Sequence, residues 1–241
     1  MIRKILPRSK PVRKSEESQR ILDALDAYLE GNIDEPMRWL VRFWQDQAAV
    51  MLYIDLREIV VGEADPESLF DIWFQDYSKA LSEKMTPTWE KAFLEGWKNN
   101  SIFYGAEDVI SSESWVRSWI TDHTGELITN CCNEQVNAVR YLIAEAESLN
   151  MSSAETARYI RPTIGLTERQ AAANLKYYNS IKEKLTTDHP RMKPESIEQK
   201  ARAAASKYAG KQQRYRAETI ARSEVAQAYN QGADAFVREA I

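Results

Sequence analysis

The chain has 241 residues, of which 44% are hydrophobic and 28% charged, the ordinary balance of a globular protein that is long enough to bury a core. The chain has only two cysteines, which are adjacent, and this excludes a disulfide framework. Its eight glycines and two histidines leave little material for Gly-rich phosphate loops or a His-based metal site. The net charge of −4 hides an asymmetry, because residues 21–150 carry 24 acidic and 9 basic side chains while both ends of the chain are basic.

Residues 1–15 combine Pro7 and Pro11 with several Lys and Arg residues, which predicts a flexible basic arm. This terminus has no continuous apolar segment of a secretion signal. No apolar run approaches the roughly 18 residues that a membrane span needs. We therefore expect a soluble protein that acts or assembles in the cytosol, without a membrane partner.

Apolar residues at helical spacing predict helices through the rest of the chain, and hence an elongated all-α fold with long helices. The first helices are expected from Glu16 to Gly31 and from Asp34 to Gly62, although 57–61 also fits a short strand. Asp65-Pro66 and Thr86-Pro87 each predict a new helix start. The pattern breaks at 101–105, and a further helix is expected from Ser112.

The second half has clearer start signals. Ser152 with Glu155, and Thr167 with Gln170, have the spacing of capping boxes. A polar connection over 186–194 precedes a predicted short helix over 195–208. Gly210 separates it from a last predicted helix over 212–240.

Tryptophan is confined to one region, because all seven lie between positions 39 and 119. They define an acidic, Trp-rich helical region over 16–114. Tryptophans act as core anchors or as anchors of a partner interface, and the sequence leaves both roles open.

The sequence contains no recognisable motif for catalysis. His123 and His189 have no metal-ligating partner at helical spacing, and Cys131 and Cys132 are interpreted as small buried hydrophobic residues. Walker-type, GxGxxG and GxSxG patterns are absent from the sequence. We expect no enzyme activity, no metal and no cofactor.

The last helix carries the most specific local pattern. Ala217, Ala221, Glu224 and Ala228 form a stripe of steps of four, three and four residues, which predicts a close neighbouring helix. Glu224 would then lie in a crowded seam and need a cationic or N–H partner. An ordinary amphipathic helix with incidental ion pairs is the alternative.

The same helix carries a family resemblance. The string from Arg216 to Glu224, with Ala228, Asn230 and Gly232, resembles the closing motif of tailed-phage minor head proteins, the head-morphogenesis family typified by the F protein of phage Mu. Upstream segments at 119–120, 127–130, 134–135, 152–155, 164–171 and 208–209 follow in the same order. The resemblance covers about residues 115–241, which we treat as a helical domain. Its motif residues are Gly165, Leu166, Thr167, Arg216, Glu218, Arg222, Glu224, Asn230 and Gly232.

The resemblance implies a structural protein present in few copies inside the phage head. Such proteins associate with the portal during assembly in the host cytoplasm, and some touch DNA during packaging or ejection. Many members continue beyond the Asn-x-Gly motif with a Cys-containing segment or an enzymatic domain. This chain ends nine residues after Gly232, so we expect a short member or a truncated one.

Two partners follow as expectations. The portal or capsid interior would be bound by tryptophans of the acidic half, namely Trp39, Trp44, Trp73, Trp89 and Trp97. Packaged DNA would be bound without sequence preference, since no aromatic stacking platform is recognised beside the basic residues. Those expected to contact phosphates, together with the basic arm, are Lys200, Arg202, Lys207, Lys211 and Arg214.

Overall fold

The computed structural model describes residues 16–50, 53–65, 68–105 and 113–240, and in these residues it confirms the all-α prediction. The α-helices are α1 (Glu16–Asn32), α2 (Asp34–Val50), α3 (Tyr53–Val60), α4 (Ser68–Phe103), α5 (Glu113–Ser148), α6 (Ser153–Ile160), α7 (Glu168–Asp188) and α8 (Pro194–Ala240). A 3₁₀ turn (Arg161–Thr163) follows α6. The predicted basic arm and the start signals at Pro66 and Ser112 lie outside the described residues.

Both predicted capping boxes are confirmed. The Ser152 hydroxyl accepts a hydrogen bond from the backbone N–H of Glu155, whose carboxylate accepts one from the backbone N–H of Ser152. Thr167 and Gln170 make the same reciprocal pair at the start of α7. The segment 57–60 is the end of α3, and not a strand.

Two predicted helix boundaries are wrong. Thr86-Pro87 lies inside α4, a helix of 36 residues, and Gly210 lies inside α8, a helix of 47 residues that extends about 70 Å at 1.5 Å per residue. Packing offsets the local cost of both residues. Met85 and Trp89 are fully buried on either side of Pro87, and Ala209 is fully buried beside Gly210.

The long helices α4, α5 and α8 form the centre of the fold. α5 runs antiparallel to α4, because Tyr77 contacts Gln135 whereas Trp89 contacts Trp119. α8 runs in the same direction as α4, since Trp89 contacts His123, the partner of Glu224, whereas Trp97 farther along α4 contacts Phe236.

Two glycines set the spacing between α4 and α8. A Cβ added to Gly96 would overlap the backbone carbonyl of Tyr229, and one added to Gly232 would overlap that of Phe93. The two backbones are therefore in direct contact at this crossing. This gives the motif residue Gly232 a packing role.

α7 and the first half of α8 form an antiparallel hairpin. Gln212 donates to the carbonyl of Gln170 at 3.0 Å, and Tyr178 bonds to Glu198 farther along. Asn174 is fully buried between the two helices and donates to the carbonyl of Ala205 at 3.0 Å.

The core contains most of the tryptophans that were predicted at a portal interface. Trp44, Trp73, Trp89 and Trp97 have relative exposures of 0%, 2%, 0% and 3%. The interface prediction is wrong for these four, because the folded chain itself covers their rings. Trp39 alone among the five predicted interface tryptophans remains partly exposed.

Candidate functional site

The motif residues Gly165, Leu166 and Thr167 form the turn that leads into α7. Gly165 has φ +84°, a conformation that L side chains rarely adopt. A Cβ at this position would lie 2.5 Å from Cδ2 and 2.8 Å from Cβ of Trp44. The chain therefore passes directly over the indole of Trp44 in α2, and only glycine fits there.

Arg216 holds this turn from α8. It is 5% exposed, and its Nη1 donates to the carbonyl oxygen of Gly165 at 2.5 Å while Nη2 pairs with the carboxylate of Glu134. Its guanidinium carbon lies 5.1 Å from the centre of the Trp44 ring, a cation–π contact. Gln213, about one helical turn earlier on α8, donates to the carbonyl of Ile164 at 2.6 Å. We call these contacts the Arg216 clasp, and they join α2, α5 and α8 to the 164–167 turn.

A buried polar chain lies beneath the clasp. Trp44 Nε1 donates to the hydroxyl of Tyr77 at 2.5 Å, and that hydroxyl donates to Gln135. Burial raises the pKa of Tyr77 well above its ordinary value, so the hydroxyl remains a neutral donor.

The two cysteines lie beside this chain on α5. Burial, as the largest cause, raises the pKa of Cys131 to about 11 and that of Cys132 to about 12. The thiols are therefore protonated at neutral pH. A protonated, buried thiol packs as a small hydrophobic group and is a poor nucleophile.

Glu224 has the partner that its place in the alanine stripe requires. Ala217, Ala221 and Ala228 are fully buried, and Glu224 is 7% exposed. Its carboxylate lies 2.5 Å from Nε2 of His123 on α5. The prediction of a crowded seam with a buried partner for Glu224 is confirmed.

Two tryptophans enclose the imidazole of His123. Trp119 stacks on it with ring centres 4.7 Å apart, and Trp89 meets it edge-on at 5.3 Å. The His123–Glu224 pair is therefore largely shielded from water.

The remaining motif residues lie on the open side of α8. Glu218, Arg222 and Asn230 are exposed. The motif therefore divides into a buried set that packs helices together and an exposed set that is accessible to a partner.

Four of the five predicted phosphate contacts also lie exposed on α8, namely Lys200, Lys207, Lys211 and Arg214. At about 100° per residue these four share one side of the helix, whereas Arg202 is half-buried and points to the opposite side. The prediction therefore does not hold for Arg202 as part of this surface. We call the four exposed residues the basic face of α8.

The basic face contains an aromatic residue that sequence reasoning missed. Tyr215 is 70% exposed beside Arg214. Tyr208, seven residues earlier, is half-buried, and its ring centre lies 4.9 Å from that of the partly exposed Tyr177. The seven-residue spacing of Tyr208 and Tyr215, with Lys211 between them, was the sequence signal for this surface.

The sequence did not indicate the other buried hydrogen-bonded pairs. His123, Tyr77 and Gln213 each meet a residue that is more than 30 positions away in the chain. No local pattern indicates such pairs.

In the described part of the chain, no group of three or more His, Cys, Asp or Glu residues is placed to hold a metal ion. No described helix contains a stretch apolar and long enough to cross a membrane. Comparison of the chain with protein-family models, curated proteins and solved structures finds no match.

Proposed function

We propose that the protein is a structural minor head protein of a tailed phage or prophage, acting at the portal in capsid assembly, in DNA packaging and ejection, or in both. The observation that carries the proposal is the Arg216 clasp. Three elements of the resemblance that are far apart in sequence, around Glu134, Gly165 and Arg216, meet in one packed unit. We expect the shared motif residues of a protein family to lie together in one structural unit.

The contacts that the charged motif residues make support a structural rather than an enzymatic role. Arg216 is engaged by Glu134 and by the Gly165 carbonyl, and Glu224 is engaged by His123. Groups that are engaged in such internal contacts connect packed helices and are not free to bind a substrate. We propose a protein without enzyme activity or cofactor, located inside the head and in the host cytoplasm during assembly.

Co-expression with the portal protein encoded by the same genome tests the proposal. Size-exclusion chromatography should show this chain in the fractions of the portal oligomer. The separately purified proteins, run alone, give the reference elution volumes. Separate elution of the two proteins when mixed at high micromolar concentration would overturn the proposal.

A second candidate function, non-specific binding of packaged DNA, is favoured by the basic face of α8. Its four cations and the exposed ring of Tyr215 share one surface of the helix. Lys and Arg side chains on such a surface neutralise phosphates and release counterions. We expect dissociation constants on the order of 10⁻⁴–10⁻⁶ M that weaken steeply with salt.

Fluorescence anisotropy with a random duplex at about 50 mM and about 200 mM salt tests this candidate. The triple variant Lys207→Ala, Lys211→Ala, Arg214→Ala should bind more weakly, with a salt slope reduced by about 0.9 for each phosphate that the variant no longer neutralises. The double variant Lys79→Ala, Lys98→Ala, which removes two exposed cations of α4, is the control for a general loss of positive charge and should bind like the wild type. Absence of wild-type binding at the lower salt concentration would exclude DNA as a partner of this surface.

A further inference from the structure

An open groove of about 580 Å³ lies between the first three turns of α2 and the middle of α4. Trp39 and Phe43 form its apolar floor, with stacked rings 5.5 Å apart. Phe43 also packs edge-on against the buried Tyr77 at 4.8 Å, which anchors the floor to the core. The groove thus presents an aromatic surface that the described residues leave uncovered.

The rim of the groove is unusually basic for its region. Arg38, Arg42 and Lys84 line it, and they are three of only nine basic residues within the acidic stretch 21–150. Glu35 and Asp46 also line the groove. Asp46 meets Arg42 only at 4.0 Å in an exposed pair, an arrangement that contributes little free energy. Arg42 is therefore accessible to a stronger acidic partner, and Arg38 and Lys84 also lie exposed.

The length of the groove fits a short helix. Its lining on α2 extends from Glu35 to Asp46, which corresponds to about 16 Å or three helical turns. A partner helix of that length presents large apolar side chains at i, i+3 or i+4 and i+7 on one face. Acidic residues flanking those anchors would meet the cationic rim.

A second copy of this chain fits the groove less well. In a two-fold symmetric contact the same patch faces itself, so a lining with three cations and two carboxylates would meet an identical lining that also has an excess of cations. Such a contact offers fewer carboxylates to the cations than an acidic partner does.

We propose that the α2–α4 groove docks an acidic amphipathic helix of the portal protein, with an aromatic or large aliphatic side chain on Trp39 and Phe43. This inference rests on the proposed portal association and names the surface that achieves it. It also gives Trp39 the interface role that its buried counterparts cannot perform.

Two groove variants test the proposal by measured affinity for the portal protein of the same genome. Trp39→Ala removes the floor, and Arg38→Glu with Arg42→Glu reverses the rim; Arg42 is 84% exposed, so its reversal should not disturb folding. Each variant should weaken portal binding by about tenfold or more. Ile72→Ala, which truncates a 58% exposed side chain of α4, and Lys79→Glu with Lys98→Glu are the matched controls and should bind like the wild type.

The outcomes separate this inference from the proposed function. If both groove variants bind the portal with the affinity of the wild type, the groove assignment is wrong, whereas the proposed portal association still holds. If the wild type does not bind the portal, both fail. A photo-crosslinking benzoylphenylalanine at position 39 gives a second readout, in which the crosslinked portal segment should carry net negative charge. A crosslink to a basic portal segment, or to a second copy of this chain alone, would also overturn the assignment.

Discussion

The imidazole Nε2 of His123 and the carboxylate of Glu224 lie 2.5 Å apart, although 101 positions separate the two residues in the chain. Each side chain is 9% exposed. The pair connects α5 to α8 in the same seam where the alanines of α8 allow close packing. Because both groups are desolvated, each depends on the other as a hydrogen-bond partner.

Removing Glu224 should destabilise the fold. We expect Glu224→Ala to lower the free energy of unfolding by about 1–3 kcal/mol, because His123 would remain buried without its acceptor. Glu218→Ala, on the exposed side of the same helix, is the control and should change stability by less than about 0.5 kcal/mol. Urea unfolding followed by circular dichroism measures both. A Glu224→Ala variant as stable as the wild type would show that the pair contributes nothing.

Two glycines should respond oppositely to alanine. Gly165→Ala forces a side chain into a positive-φ turn and against Trp44, and each of these effects costs about 1–3 kcal/mol. Gly210→Ala places a methyl group where nothing lies within 4 Å, inside α8, and should stabilise the protein by about 0.5–1 kcal/mol. Thermal melting of the two variants beside the wild type provides the comparison. A stable Gly165→Ala protein would contradict the close contact of the turn with Trp44.

Ionisation of Cys131 should lower the stability of the fold at high pH. Burial raises the pKa of Cys131 from 9.0 to about 11, so the folded state keeps a proton that the unfolded state loses in that interval. The contribution to stability is complete below pH 9 and is lost as the pH rises towards about 11. Unfolding free energies of the wild type should therefore fall more steeply over this interval than those of Cys131→Ala.

Thiol labelling provides the independent check on the cysteines. At pH 8 neither Cys131 nor Cys132 should react with a disulfide reagent until the protein is unfolded, because both are buried and protonated. Rapid labelling of the native protein would contradict the burial of these side chains.

Local sequence signals predicted the start of a helix correctly where a side chain caps its backbone. The Ser152 and Thr167 boxes are complete within four residues, so the sequence contains all of their partners. The turn signals at Pro87 and Gly210 misled for the opposite reason. Their outcome depends on burial by distant helices, which overrides a local cost of about 1–3 kcal/mol.

The candidate site was predictable only in part. The alanine stripe placed Glu224 in a seam, because helical periodicity alone decides which residues share a face. The identity of its partner was not predictable, since His123 arrives from another helix. Four tryptophans assigned to an interface proved to be core residues, because residues that are distant in the chain cover them. Gly165 lies against Trp44, Trp119 packs on Trp89, and Phe236 packs on Trp97.

The composition of assembled heads tests the central claim most directly. The proposed function predicts that the genome encoding this chain also encodes a phage head, and such heads and procapsids can be purified and analysed by quantitative mass spectrometry. We predict that the protein is present in both, in a copy number comparable to that of the portal subunits and far below that of the major capsid protein. Its absence from purified heads, while it is abundant in the infected-cell lysate, would contradict the assignment of this protein to the phage head.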